Sequence, residues 1–202
     1  TGASNTAFGN DALTANTTGT GSAAVGANAL DANTTGNYNV AVGQHALGKN
    51  TTGANNIGIG YGSLSEILTV DNNTAVGHIA LTNSVGANNT AVGSGALTAN
   101  TTGASGTAVG FDALKAVTTG GENTAVGRSS GEALTTGIRN VAIGGYALYT
   151  ATTVNSNTAV GYSALQTNAA ADNTAVGRDA LKLNTTGTSN TAVGKGAMDA
   201  NT

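Results

Sequence analysis

The sequence has 202 residues, of which 127 are Ala, Thr, Gly or Asn, and it contains no Pro, Cys or Trp. Only 8% of the residues are charged, the net charge is −3 and aromatic residues are 3%, so the chain lacks the basic, aromatic-bearing surface that binds nucleic acid. No apolar run reaches the roughly 20 residues that span a bilayer, so we expect no membrane insertion, and without Cys there are no disulfides or thiolate metal sites.

One short motif recurs along the whole chain. An apolar residue followed by Gly, here called the anchor, appears twelve times at intervals of 17 or, twice, 16 residues. Repeats of this kind predict a repetitive architecture and not an ordinary globular domain. The anchors are Phe8, Val25, Val42, Ile59, Val76, Val92, Val109, Val126, Ile143, Val160, Val176 and Val193.

Each anchor ends a short predicted strand. The residue before it is always Ala or Gly, and the residue two before it is β-branched in eleven of the twelve repeats. This period-two pattern predicts a strand in which the anchor and the β-branched residue share one face. The constant Gly after the anchor removes Cβ where the chain bends or takes a positive φ.

A second apolar column follows five residues after each anchor. It holds Leu in ten repeats and Met198 in the last, whereas the eighth repeat has Gly131 there and Leu134 three residues later. We place members of both columns in the core: Val25, Val42, Ile59, Val76, Val92, Val109, Val126, Ile143, Val160, Val176, Val193, Leu30, Leu47, Leu97, Leu114 and Leu165.

These columns predict an all-β fold, a parallel β-solenoid of twelve coils. A helix-pair repeat fails because 17 residues with a constant Gly and a Thr-Thr-Gly turn cannot hold two helices. Coils about 4.8 Å apart give a rod of roughly 55–60 Å, and Pro is excluded because backbone N–H groups pair between coils. Asn three residues before the anchor, present in ten repeats, predicts an amide ladder that satisfies turn groups. The Asn-Thr-Thr sequons are interpreted as turn formers.

The chain is expected to associate with copies of itself. A thin stack of coils buries little apolar surface, and the constant Ala or Gly predicts close approach of another chain, so we expect a homo-oligomer, specifically a homotrimer. The ends also match, because residues 200–202 placed before Thr1-Gly2 would regenerate an Asn-Thr-Thr-Gly turn. This predicts end-to-end stacking, or that residues 1–202 are one repetitive segment, an internal window of a longer fibre.

Two repeats carry a family resemblance. Residues 73–77 with Ala80-Leu81, and residues 173–177 with Ala180-Leu181, resemble the head repeats of trimeric autotransporter adhesins and the arrays of phage tail-fibre-like proteins. The resemblance covers the entire chain, although the adhesin-head repeat is usually shorter and richer in Ser. It implies a left-handed parallel β-roll, three chains around an axis, and a role in a surface or virion fibre.

The sequence offers no catalytic residues, no cofactor fingerprint and no metal site. His45 and His78 lie two repeats apart, and a shared metal is the weaker hypothesis beside two solvated side chains. The two residues after the constant Gly vary while their surroundings do not, which predicts an exposed edge that contacts a host-surface glycan or protein receptor. The alternative is that variable positions simply face solvent. The candidate contact residues are His45, Tyr61, His78, Phe111, Arg128, Tyr146, Tyr162 and Arg178.

Three functions compete, none of them enzymatic. The first is a structural and adhesive fibre segment of a cell-surface adhesin or phage tail fibre, outside the cell. The second is a self-assembling extracellular filament or sheath without a specific ligand. The third is ice binding by regular Thr arrays. Against it, the Thr two before the anchor alternates with Val, Ile and Ala, which suits a core position, and the Thr-Thr pairs lie in turns.

Overall fold

The computed structural model describes residues 2–201 and has the predicted fold, an all-β solenoid of stacked coils. Among these residues there is no helix, and so none long and apolar enough to cross a membrane. Twelve three-residue strands, each ending at an anchor, define coils 1 to 12. The strands are β1 Thr6–Phe8, β2 Ala23–Val25, β3 Val40–Val42, β4 Ile57–Ile59, β5 Thr74–Val76, β6 Thr90–Val92, β7 Thr107–Val109, β8 Thr124–Val126, β9 Val141–Ile143, β10 Thr158–Val160, β11 Thr167–Asn168, β12 Thr174–Val176, β13 Leu183–Asn184 and β14 Thr191–Val193, of which β11 and β13 are additional two-residue strands.

The coils stack in register. The twelve longer strands form one parallel sheet in chain order, and equivalent residues pair, as Val76 does with Val92. Strands β11 and β13 form a second, two-stranded parallel sheet. Turn segments also bond between coils, since the Leu97 N–H donates to the Ala113 carbonyl at 3.1 Å. This pairing explains the absence of Pro. Thr1 and Thr202, which belong to the joining turn predicted from the chain ends, lie outside the described residues.

The interior of each coil holds Ala from the strand and Leu from the segment that faces it. Gly58 replaces the strand Ala in coil 4, and its surroundings show how narrow the gap between the strand and the facing segment is. A Cβ at this position would lie 3.2 Å from the Ser63 carbonyl oxygen and 3.3 Å from Leu47 Cγ. Such a gap admits Ala or Gly and nothing larger. The leucines predicted for the core are at most 1% exposed: Leu30, Leu47, Leu97, Leu114 and Leu165.

The anchors, by contrast, lie outside the coil, and their predicted place in its core is wrong. Successive strand residues point to opposite faces, so an inward Ala turns the anchor and the residue two before it outward. Val25 is 36% exposed and Val193 is 71% exposed. The constant Ala or Gly therefore faces the leucines and not another chain. The anchors corrected in this way are Val25, Val42, Ile59, Val76, Val92, Val109, Val126, Ile143, Val160, Val176 and Val193.

The constant Gly after the anchor is required by both backbone and packing. Gly110 has a φ of +139°, and a Cβ there would lie 2.5 Å from the Gly127 carbonyl oxygen of the next coil. In coil 8, Gly131 takes a φ of +59° where other coils place Leu in the same left-handed region. The buried side chain of Leu134 compensates, since its Cδ1 would lie 3.1 Å from a Cβ on Gly131.

The predicted Asn ladder is present, but it mostly joins side chains to backbone. In the column three residues before the anchor, Asn56 Oδ1 accepts from the Asn73 backbone N–H at 2.9 Å. Asn56 Nδ2 donates to the Val70 carbonyl oxygen at 2.7 Å. Each side chain thus satisfies one donor and one acceptor of buried turns, which would otherwise cost about 1–3 kcal/mol each.

A second Asn column lies in the Asn-Thr-Thr-Gly turns and is buried too. Asn33 Nδ2 donates to Asn16 Oδ1 at 3.1 Å, and Asn50 Nδ2 donates to Asn33 Oδ1 at 3.0 Å. This first run of the column ends at Asn50, whose buried Oδ1 has no partner because the next coil has Ile67 at this position. The same bonds resume in the last three coils. Asn33 and Asn50 are fully buried, which fits their interpretation as turn formers and closes them to glycosylation in the folded coil.

Candidate binding surfaces

The anchors and the residues two before them form one continuous outer surface, here called the strand face. It runs along all twelve coils because their strands are in register. Neither column contains a charged residue, and the anchor column is entirely apolar. Coils 5 to 8 each present Thr and Val, and coil 4 presents Ile57 and Ile59. The strand face is therefore uniform along the rod.

The predicted contact residues lie in the turn after the constant Gly, at the surface. Tyr61, Phe111 and Tyr162 are 51%, 52% and 55% exposed. Each of the eight is exposed or half-buried: His45, Tyr61, His78, Phe111, Arg128, Tyr146, Tyr162 and Arg178. Their contact role remains a prediction.

Three of these residues form a row of rings across coils 3 to 5. The Tyr61 ring stacks on the His78 ring, with centroids 5.5 Å apart and planes 16° apart. The His45 ring meets Tyr61 edge-on, with centroids 6.2 Å apart. Aromatic pairs at these distances favour such offset or edge-on geometries. The register of the coils brings together rings that are 16 or 17 residues apart in sequence.

A second aromatic group is centred on Tyr146 in coil 9. Its ring meets Tyr149 and Tyr162 edge-on, with centroid distances of 5.3 Å and 5.7 Å. The Arg128 guanidinium carbon lies 5.6 Å from the Tyr146 ring centroid, within the range of a cation–π contact. The predicted contact residues, here called the contact edge, thus include two separate groups of rings, one in coils 3 to 5 and one in coils 9 and 10.

A groove of about 420 Å³, here called the histidine groove, lies beside the first ring row. Its lining includes His45 and Tyr61, and the charged side chains of Asp31, Lys49 and Glu66. Lys49 Nζ lies 2.5 Å from Glu66 Oε2. The groove therefore combines aromatic rings with hydrogen-bonding groups, as small-molecule sites do.

A second groove of about 530 Å³, here called the tyrosine groove, crosses coils 6 to 9. Lys115, Glu132, Tyr149 and Thr150 line it together with small Ala side chains. Both grooves involve the sixth and seventh residues after the anchor. Both grooves lie on one surface, which is formed by the third, sixth and seventh residues after each anchor. This surface is here called the groove face.

Some of the charged side chains on the groove face form ion pairs. Lys115 Nζ donates to Asp112 Oδ2 at 3.1 Å, and this hydrogen bond, with the attraction of the carboxylate charge, raises the pKa of Lys115 above its ordinary value of 10.5. The Lys49 and Glu66 side chains are 60% and 40% exposed, so their ion pair adds little to stability. Acidic residues outnumber basic ones on the groove face by seven to three, so the face carries a net negative charge.

The arrangement suits binding by ring contacts and hydrogen bonds. Within residues 2–201 no group of three or more His, Asp or Glu side chains could hold a metal ion. His45 and His78 both contact the Tyr61 ring of the coil between them, so the structure groups them as aromatic partners and not as shared ligands.

Comparisons with known protein families, curated proteins and solved structures return no significant match. The sequence analysis predicted an exposed contact edge but did not single out the groove residues Asp31, Lys49, Glu66, Lys115 and Glu132. The signal was available, because the sixth residue after the anchor varies as widely as the third, and the seventh departs from Ala in six of the twelve coils. It was overlooked because the turn that brings these two segments to one surface is not apparent from spacing alone.

Proposed function

We propose that this chain is a segment of a structural and adhesive fibre, in which copies associate through the strand face and expose the groove face. The observation that carries the proposal is the strand face itself, a long, uncharged and uncovered sheet surface. Such a fibre lies outside the cell, as part of a cell-surface adhesin or of a virion.

The size of the strand face supports self-association. Eleven coil spacings of about 4.8 Å and a width of about 10 Å give roughly 500 Å². That is near the upper end for an exposed apolar patch on a monomer, about 300–600 Å². Three such faces turned toward one axis bury about 1,500 Å² in total, so the assembly as a whole exceeds the roughly 1,000 Å² of a specific interface.

The chemistry of the strand face suits a second copy of itself. Because it is uncharged along its length, an identical face meets no repulsion and leaves no buried charge unpaired. Val and Ile of coils 3, 4 and 9 would form the most apolar layers, and Thr of the other coils would form hydrogen bonds at the edge. The resemblance to trimeric fibre heads favours three copies around one axis.

The mass of the particle in solution tests the proposal. We expect sedimentation equilibrium to give a trimer for the wild-type chain, and a monomer for the double variant Val92→Asp/Val109→Asp, because each buried carboxylate would lack a partner. The matched control Gln44→Asp/Ser94→Asp adds the same charge beside the constant Gly and should remain trimeric. A wild-type monomer at micromolar concentration would refute association through this face.

One observation favours ice binding as a second candidate. The argument against it placed the Thr column in the core, whereas Thr74, Thr90, Thr107 and Thr124 lie on the strand face in consecutive coils. Thermal hysteresis that is abolished by Thr90→Tyr/Thr107→Tyr in a monomeric chain would establish this function in place of self-association. A trimer without thermal hysteresis would exclude it.

A further inference from the structure

The histidine groove exists because two residues lack side chains. Gly48 and Gly62 stand at the sixth and third positions after their anchors, where other coils carry large side chains such as Tyr149 and Tyr146. A Cβ on Gly48 would lie 3.4 Å from Asp31 Oδ1, directly beside a groove carboxylate. The hollow is therefore a local feature of coils 2 to 5 and does not follow from the repeat.

One wall of the groove presents aromatic rings. The His45 and Tyr61 rings line this wall, with their centroids 6.2 Å apart. Tyr61 is half exposed, so part of its ring is open to a ligand. The face of an aromatic ring carries partial negative charge and attracts the C–H groups on the apolar face of a pyranose.

Polar side chains around the groove supply the hydrogen bonds that sugar hydroxyls need. Asp31 accepts only, Lys49 donates only, and Ser65 does both. Lys49 and Glu66 already pair with each other, which leaves the Asp31 carboxylate as the remaining charge and disfavours an anionic ligand such as a phosphate. A volume of about 420 Å³ lies within the range of about 300–1,000 Å³ for ligand pockets.

From this combination we infer that the histidine groove is a binding site for an uncharged saccharide, held by stacking on Tyr61 and by hydrogen bonds to Asp31 and Lys49. This inference deepens the adhesive part of the proposed function and rests on it, since it names the class of ligand that the exposed surface contacts. The groove is formed within one chain, so its ligand can be tested whatever the state of assembly.

The direct test is saturation-transfer NMR on the whole chain, with trisaccharides of glucose, galactose, mannose and N-acetylglucosamine as probes. We expect at least one of them to bind at millimolar concentration. Tyr61→Ala removes the stacking surface and should weaken binding about tenfold or more, as loss of an aromatic anchor typically does. Tyr38→Ala, an exposed tyrosine outside both the groove and the contact residues, should leave binding unchanged.

A second variant fills the groove and keeps its rings. Gly48→Gln introduces the residue that coil 10 carries at the equivalent position, Gln166, and Gly48 does not need a positive φ. The coil should therefore fold while saccharide binding is lost.

Three results would overturn the inference. They are no binding of any of the four trisaccharides, equal binding by the wild-type chain and both groove variants, or binding of trilysine in place of the sugars, which would indicate a cationic peptide ligand. Each of these results can occur whether the chain is a trimer or a monomer. Failure of the saccharide site is therefore distinguishable from failure of self-association.

Discussion

The strand face and the groove face belong to the same coils and follow different rules. On the strand face, equivalent residues from coil to coil are almost interchangeable, and each coil presents a β-branched or apolar pair. On the groove face, the sixth residue after the anchor is Gly48 in one coil, Lys115 in another and Tyr149 in a third. The interior columns between the two faces are the most constant of all.

The difference indicates what each face can do. A uniform face gives every coil the same contact with a neighbour, so it suits association along the full length of the rod. A varied face makes each position along the rod chemically distinct, so it suits recognition at particular places. Substitutions that act on one face and spare the other test this division.

The largest effect is expected at the constant Gly that separates the two faces. Gly110→Val places a β-branched side chain at a φ of +139° and its Cβ 2.5 Å from the Gly127 carbonyl oxygen, so coils 7 and 8 cannot stack. We expect a loss of about 5 kcal/mol or more in the free energy of unfolding, measured by chemical denaturation. Gly196→Ala, at a φ of +64° with no atom within 4 Å of the new Cβ, should cost only about 1–2 kcal/mol. Similar costs for the two variants would mean that the coils are not this closely stacked.

The next largest effect compares the interior with the strand face. Leu97→Ala empties a fully enclosed site and should cost about 3 kcal/mol. Val92→Ala in the same coil removes a half-buried side chain and should cost less than about 1 kcal/mol in the monomeric chain. If copies associate through the strand face as proposed, the cost of Val92→Ala should rise in the assembly, because a partner would cover this side chain. Thermal denaturation of both variants at low and high protein concentration measures these costs. The same cost for Val92→Ala at both concentrations would contradict this expectation.

A smaller effect is expected in the Asn column just before the strand face. Asn56→Ala deprives the Asn73 N–H and the Val70 carbonyl of their partners, at a cost of about 2 kcal/mol. Hydrogen exchange should accelerate at the Asn73 amide before any other amide of coil 5. Asn55→Gly, one residue earlier, exposed and at a φ of +58° that suits Gly, is the control. Slow exchange at the Asn73 amide in Asn56→Ala would contradict the ladder.

The smallest effect belongs to the groove face, where an exposed ion pair can be removed without harm to the fold. Asp112→Asn should lower the pKa of Lys115 toward 10.5, because the carboxylate that raises it is gone. Since the pKa is raised in the folded state, the pair stabilises the wild-type chain below pH 10.5 and its contribution is lost as the pH rises through the higher folded value. NMR titration of the Lys115 side chain measures the shift, with Asp11→Asn in coil 1 as control. An unchanged pKa in Asp112→Asn would show that the two groups do not interact.

The architecture was predictable from the sequence, because period, constant Gly and missing Pro constrain the backbone of every coil. The direction of side chains was predicted less well. Size suggested that Val92 is core and Ala91 is not, whereas a narrow coil admits Ala and turns Val outward. The buried state of Asn33 was not apparent either, because a turn residue usually faces solvent.

The exposed edge was predicted from its sequence variation, and the grooves were not. Tyr61 was recognisable in the sequence as an aromatic residue in a variable column, whereas Gly48 contributes to the groove because it has no side chain. The position of a hollow depends on how two segments of the coil meet at the surface. The turns determine how these two segments meet, so the groove cannot be predicted from any single column of the repeat.

Stacking coils by hydrogen bonds along the rod has a mechanical consequence. A pull along the axis loads the bonds between coils one layer after another, so coils detach singly from an end instead of failing together. Each released coil of 17 residues extends to about 60 Å, from a folded height of about 5 Å. Under tension, a fibre built in this way would lengthen about twelvefold at each coil that is released. Releasing the coils would absorb mechanical work before the attachment of the fibre breaks.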